Sequence, residues 1–367
     1  MNGKVLRHRV GCFAVALAVV LLPALASGQA IVKVNDNVFF RFGIQMQAWG
    51  DWLQNATTDA YAQNLYLRRA RFLLTGQVAP NVTFFFQTDT PNLGKYSGTS
   101  TKSFSPGFLI QDAWFEWKLA EEFALDAGEM IVPFSRNELN STLSFLTLDI
   151  SPTSTVFASP TQTNGTRDTG FMAHGYFGDG HLEYRAGVFQ GVRTAAQNSS
   201  FLFDGYLHYN FLETEKGYVF AGTNLGKRKI LTLSGGYQTQ NSYRAYSGDV
   251  FTTLPIAGGD EFAGQVQWTH YDGQNFLASV PNQNDYLVEL GYYVSQAKFQ
   301  PFAKFESQRF VEAAKEINNV DRWGAGLNYY VSGQNLKLTG QYLRIQPKNS
   351  ELHNTNEFTF QIQMFFN

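Results

Sequence analysis

The sequence predicts an all-β fold: a transmembrane antiparallel β-barrel of about 16 strands. Three observations predict it. Runs of roughly ten residues alternate apolar and polar side chains along the chain. The composition is rich in aromatics and glycine, with 33 Phe, 18 Tyr, 6 Trp and 33 Gly against 11 Pro in 367 residues. Such a composition favours strands and turns over helices. The chain also opens with the pattern of an export signal.

That opening comes first in order. Lys4, Arg7 and Arg9 precede an apolar run from Val10 to Leu25, broken by Pro23 and followed by the small-x-small site Ala24-Leu25-Ala26. Residues 1–26 are expected to be a signal peptide, with Gly28-Gln29-Ala30 a second cleavage candidate. The apolar run is shorter than the roughly 20 residues a spanning helix needs. Cys12 is the sole cysteine and lies inside the signal, so the remaining chain is expected to hold no disulfide, thiolate metal site or cysteine nucleophile. Cleavage removes three basic residues and moves the formal charge from −2 to about −5. A chain of that charge has no general attraction for nucleic acid.

The barrel is expected over 31–367. In its first strand Phe40, Phe42, Ile44, Met46 and Ala48 alternate with Arg41, Gly43, Gln45 and Gln47. At the far end Phe358, Phe360, Ile362, Met364 and Phe366 alternate with Glu357, Thr359, Gln361 and Gln363. The same period runs through 109–119, 285–294, 299–308 and 322–331, and more weakly through 203–211, 229–240 and 244–254. Alternation alone also fits a soluble sandwich with one wet face. Length, aromatic content and the export signal favour a barrel with lipid outside and water inside. Short turns at 79–81, 178–180, 295–297 and 332–334 are set against longer polar segments at 53–63, 91–107, 133–167, 192–200, 272–284 and 346–355. Turns at one end and loops at the other are the habit of such barrels, and an even strand count returns the C-terminus to the turn end.

Several stretches, taken in order, resemble the phosphate-selective porin family, the porin O and porin P type. They are LYLRRARFLLTGQV (65–78), LIQDAWFEW (109–117), LDAGEMIVPFSRNEL (125–139), RDTGFMAHGYFGDGHLEYRAGVFQG (167–191) and GLNYYVSGQNLKLTGQY (326–342). The resemblance implies a trimeric outer-membrane porin with a constriction loop, here 133–167, inside each barrel. It also implies an arginine ladder on the inner wall and a basic cluster at the constriction. Strand parity places Arg41, Arg69, Arg71, Arg185, Lys304 and Arg322 on polar faces, as a wall track for anions. An arginine on the lipid face near the midplane costs roughly 2–4 kcal/mol. Two arginines about 7 Å apart in water repel by only about 0.6 kcal/mol, so the wet lumen is the cheaper place for Arg69 and Arg71. Arg68 has the opposite parity and is expected to snorkel at the outer rim.

The loop departs from the family pattern. It carries Arg136 and Arg167 as its basic residues, no lysine, many Ser and Thr, and the acids Glu138 and Asp149. Glu129 and Ile131 follow Gly128 where family members often carry Gln and Lys. Acids also share the wall, among them Asp112, Glu116, Glu183, Glu289 and Glu306. The expected function is diffusion of small solutes with a preference for anions such as phosphate; the alternative is a weakly selective pore for neutral solutes. A non-channel adhesin and an outer-membrane hydrolase are the rivals from other classes. No cofactor or metal is expected. The histidines His8, His174, His181, His208, His270 and His353 show no paired ligand spacing and read as wall, turn or girdle positions. GTNLGK at 222–227 is one residue short of a phosphate-binding P-loop and is followed by Arg228, so it reads as chance.

Overall fold

Residues 30–96, 102, 109–156, 166–194 and 199–366 are described by a computed structural model. The expected signal at 1–26 and parts of the loops near 100 and 160 lie outside the described residues. Seventeen strands follow one another: β1 (Ala30–Asn35), β2 (Val38–Gln54), β3 (Tyr61–Ala79), β4 (Val82–Asp89), β5 (Leu109–Lys118), β6 (Ala124–Ile131), β7 (Arg167–Phe177), β8 (Leu182–Phe189), β9 (Leu202–Asn210), β10 (Ile230–Gln240), β11 (Tyr243–Ile256), β12 (Asp260–Asp272), β13 (Gln283–Tyr293), β14 (Phe299–Phe310), β15 (Val320–Gln334), β16 (Leu336–Pro347) and β17 (Thr355–Phe366). From β2 onward each strand pairs antiparallel with the next, and β17 returns to β2 through Phe360↔Gly50 and Met364↔Met46. The ring is therefore a closed 16-stranded barrel, the number the alternation predicts. The additional strand β1 pairs with residues 38–42 of β2, on the edge that β17 occupies from residue 44. It prolongs that edge and adds no strand to the wall.

Parity sets which side chain meets lipid. Phe42, Ile44 and Met46 are 37–50% exposed on the outside of β2, while Gln45 and Gln47 between them are 1% exposed. In β17 the outer residues Phe358, Phe360, Ile362, Met364 and Phe366 alternate with buried Gln361 and Gln363. The polar members are buried because the lumen is largely filled with protein. No helix among the described residues is long and apolar enough to cross a membrane; the strands make the crossing.

The connections follow the expected parity with two exceptions. Short turns join β3 to β4, β7 to β8, β13 to β14 and β15 to β16 at the end that carries both chain termini. At that same end, however, residues 211–229 between β9 and β10 form a long segment that turns into the barrel. At the opposite end β10 and β11 are joined through only Asn241 and Ser242.

The expected inward loop runs from 132 to 166, since Arg167 already opens β7. It begins with Val132, Pro133 and Phe134 and makes one helical turn, α1 (Arg136–Leu139). The Phe134 carbonyl lies against Gly236 of β10, where a β-carbon would overlap it, so only glycine allows this approach. The loop then follows the inner wall. Gln267 of β12 donates to Ser154 at 2.8 Å, Asn328 of β15 to the Leu146 carbonyl at 2.8 Å, and Gln363 of β17 to the Leu143 carbonyl at 2.9 Å. Polar wall residues thus serve as partners for loop carbonyls and hydroxyls that would otherwise be buried unpaired.

Candidate functional site: the open side of the lumen

Because the loop is laid against the β10–β17 wall, open space remains on the other side. A cavity of about 820 Å³ lies between β2–β5 and the loop. Five arginines border it: Arg41, Arg68, Arg69, Arg71 and Arg167. Four of them were placed on inner positions or in the loop by the sequence; Arg68 was placed outside. The pairing of β2 with β3 shows why it points inward. Gln47 faces Arg69 and the next residue, Ala48, faces Leu67, so one extra residue is inserted at Arg68. A bulge of this kind re-aims one side chain across the sheet. Simple period-two counting cannot see it.

Arg68 and Arg69 converge on one loop carboxylate, Asp149, with Nε of Arg68 2.9 Å from Oδ2 and a terminal nitrogen of Arg69 2.6 Å from Oδ1. Burial acts to raise the Asp149 carboxyl, but the two guanidiniums outweigh it and hold the group well below the usual carboxylate range. Arg71 pairs with Asp89 at 2.8 Å and reaches the Thr142 hydroxyl at 3.2 Å. Arg167 lies 3.3 Å from Asp112, which also accepts from the Tyr218 hydroxyl at 3.1 Å. Arg41 has no carboxylate partner among the described residues and stands 5.2 Å from the Phe39 ring. Glu138 of α1 borders the cavity too, and burial pushes its carboxyl well above the ordinary range. The cavity thus gathers five guanidiniums against Asp89, Asp112 and Asp149, with hydroxyl and amide groups from Ser141, Thr142 and Asn140 between them.

The remaining basic positions lie away from this cavity. Arg136 is fully buried and pairs with Glu215 of the inward segment at 2.9 Å, its guanidinium 3.6 Å from the Phe251 ring centre. Arg185 is on the inner face of β8, as parity predicts, but it pairs with Glu183 at 2.7 Å and donates to the Gly217 and Tyr218 carbonyls at 2.9 Å. Both arginines clamp segment 211–229, which the sequence reading did not foresee as an inward element. The segment also pairs with the loop: the amide of Phe220 donates to the Leu139 carbonyl at 2.9 Å, and Ser141 donates back to Phe220 at 2.8 Å. Its clues, Tyr218 and Phe220 beside Glu215, look like ordinary turn residues in the sequence. Lys304 is held by Glu306 at 2.8 Å beneath the loop, and Arg322 faces Glu306 in register on β15.

Comparison with known proteins follows this geometry. The family model described as phosphate-selective porin O and P matches residues 40–224, half of the chain. An uncharacterized protein of Aquifex aeolicus (strain VF5) is 22% identical over 294 residues, covering 72% of this chain and 69% of its own. Among solved structures, the anion-selective porin from Comamonas acidovorans matches with a TM-score of 0.62 at 12% identity, over 89% of this chain and 99% of its own. OprB of Pseudomonas putida matches with a TM-score of 0.62 at 10% identity, over 89% and 94%. At such identities the two structures share the barrel fold. The family match, which spans the arginine-bearing strands β2 and β3 and the inward loop, carries the assignment: this chain belongs to the phosphate-selective porin O and P family and is an anion-favouring porin of the bacterial outer membrane.

Proposed function

We propose that small anions cross the barrel along the open side, guided by Arg41, Arg71 and Arg167, with the Arg68–Arg69–Asp149 cluster fixing the loop at its edge. The observation that carries this reading is the clustering of five arginines on one cavity against three paired carboxylates. Five guanidiniums thus face three carboxylates, and Arg41 has no carboxylate partner among the described residues. An excess of positive charge in a narrow, protein-walled space concentrates anions and raises their rate of entry. Phosphate adds a geometric match, since guanidinium forks and hydroxyls suit its oxygens. Planar-bilayer recordings test this. Chloride preference in a potassium chloride gradient, with block by added phosphate, is the expected result. Steps without ion preference and without block would overturn the anion track.

That second outcome corresponds to the other reading, a pore for neutral solutes. It is favoured by one observation: four of the five arginines already hold a carboxylate. We read the chain as a channel and not as an enzyme, because its lumen polar groups serve as wall-to-loop ties.

We further read the assembly as a homotrimer. Strands β4, β6 and β8 have eight residues each. Tilted by about 40°, eight residues rise roughly 20 Å, less than the apolar band of about 25 Å that lipid presents. A low stretch of wall is better covered by a neighbouring barrel than by lipid. Light scattering of the detergent-extracted protein is expected to give three chains per particle; one chain per particle would contradict it.

A further inference from the structure

At the turn end of the barrel, outside the arginine cavity, Glu116 of β5 and Asp126 of β6 stand directly opposite each other. Like charges in that position destabilise a sheet unless a cation lies between them. His174 of β7 supplies the third corner, one inward position along from Met172, the partner of Asp126. Its Nε2 is 3.2 Å from Oε2 of Glu116 and 3.3 Å from Oδ1 of Asp126, and the three donor atoms all lie within 4.8 Å of one another. A tetrahedral ion with bonds of 2.0–2.1 Å needs ligand atoms about 3.3 Å apart. Both measured edges match that spacing.

A second observation points the same way. Asp126 is 3% exposed, yet neither its Oδ1 nor Nε2 of His174 makes a well-aligned hydrogen bond among the described residues, although the two lie 3.3 Å apart. Buried polar atoms are seldom left so, and these two face each other across the gap. The group borders a small cavity of about 120 Å³, which leaves room for a water as fourth ligand. The neighbouring charges are largely committed elsewhere: Arg185 to Glu183, and Lys118 and Lys216 to Glu121.

We propose that Glu116, Asp126 and His174 form a binding site for a divalent first-row transition ion of the zinc type, at the inner, periplasmic mouth of the channel. One imidazole and two carboxylates suit Zn²⁺ and Co²⁺ better than Mg²⁺ or Ca²⁺, which prefer oxygen alone. Sequence spacing could not reveal it, because the three ligands come from three strands. The site is independent of the anion track and stands or falls without it.

The test uses the full barrel in detergent, stripped with a chelator and titrated with Co²⁺, read by its visible ligand-field absorption, then displaced by Zn²⁺. One ion per chain is expected, with binding at least tenfold weaker in Asp126→Asn and His174→Gln, as first ligands exceed the outer-shell losses of about 10–100-fold. Should either variant fail to assemble, Glu116→Gln, on a wall position whose side chain is 24% exposed, is expected to weaken binding in an intact barrel. Absence of ligand-field bands, or uptake unchanged in the assembled variants, would overturn the site and leave His174 as an imidazolium held between two carboxylates.

Discussion

The two sides of the inner wall carry the same kinds of residue and use them differently. On the β2–β5 side, Arg41, Arg69 and Arg71 border open space. On the other side Arg185 of β8 and Lys304 of β14, with Arg136 of the loop itself, lie away from that space and are held by segment 211–229 or beneath the loop. Burial does not separate the two groups, since Arg69 and Arg71 are also 4% and 6% exposed and tie Asp149 and Thr142 of the loop. An inward arginine on the first side faces what passes through, even where, like Arg69 and Arg71, it also ties the loop. On the second it acts on the protein itself, satisfying loop carbonyls and buried acids that would otherwise cost stability. The direction of a side chain along a strand is therefore necessary for a pore role but does not suffice. What the loop covers decides.

Perturbing each side should separate these roles, with the largest change on the clamped side. Arg136→Ala leaves Glu215 without its cation in a fully buried setting. Losing one partner of a buried pair costs about 3–5 kcal/mol. A clear fall in the temperature of heat-modified gel mobility, with enlarged and noisier channel steps, is the expected outcome. Unchanged melting would show that segment 211–229 is held by other contacts.

The next largest change is on the open side. Arg69→Ala with Arg71→Ala removes two of five cavity arginines. The anion-to-cation permeability ratio is expected to fall about tenfold, as loss of near 1.4 kcal/mol of favourable potential implies. Melting is expected to fall as well, because buried Asp89 loses its cation and Asp149 keeps only Arg68, so the ratio is read on assembled channels.

Acidification probes the cluster that joins the two sides. The Asp149 carboxyl is held below its ordinary value by Arg68 and Arg69, so the pair is fully formed above the unfolded carboxylate range. It is lost only as pH falls through the depressed folded value. Loop-dependent conductance is thus expected to stay constant from neutral pH to about pH 4, the ordinary range for Asp. A step in conductance within that window would contradict the assignment, whereas Asp149→Asn should alter channel size at every pH. The smallest effect on ion preference is expected for Lys304→Met, at a position beneath the loop with Glu306 and Glu289 whose loss of charge acts on stability instead. Its permeability ratio should stay within about twofold of the parent, since no anion path reaches it.

Much of this architecture was legible in the residues. The stripes at Phe42, Ile44 and Met46 and at Phe358 to Phe366 face outward as period two requires. The short turns at Pro80-Asn81 and Gly178-Asp179-Gly180 join the strands they were expected to join. What escaped reading depends on two parts of the chain meeting. Arg68 faces inward because one residue of β3 has no partner on β2, a register fact held by neither strand alone. Segment 211–229 enters the lumen because Arg185 and Arg136, distant in sequence, offer partners to its carbonyls and to Glu215. Asp149 was visible as an acid in the loop, but its double pairing required the loop's path around the wall. Asp112, which holds Arg167, was on an expected polar face, whereas Asp89, which holds Arg71, drew no reading of its own. Only the pairing distances show that they temper the cavity charge.

The central claim is that the arginines on the open side, and not those under the loop, set ion preference. Reversal potential across a potassium chloride gradient, compared between the parent, the Arg69→Ala/Arg71→Ala double variant and Lys304→Met, tests it most directly. The account predicts anion preference in the parent and in Lys304→Met, and a collapse towards zero reversal potential in the double variant. Equal reversal potentials in all three, or a larger loss in Lys304→Met, would contradict it.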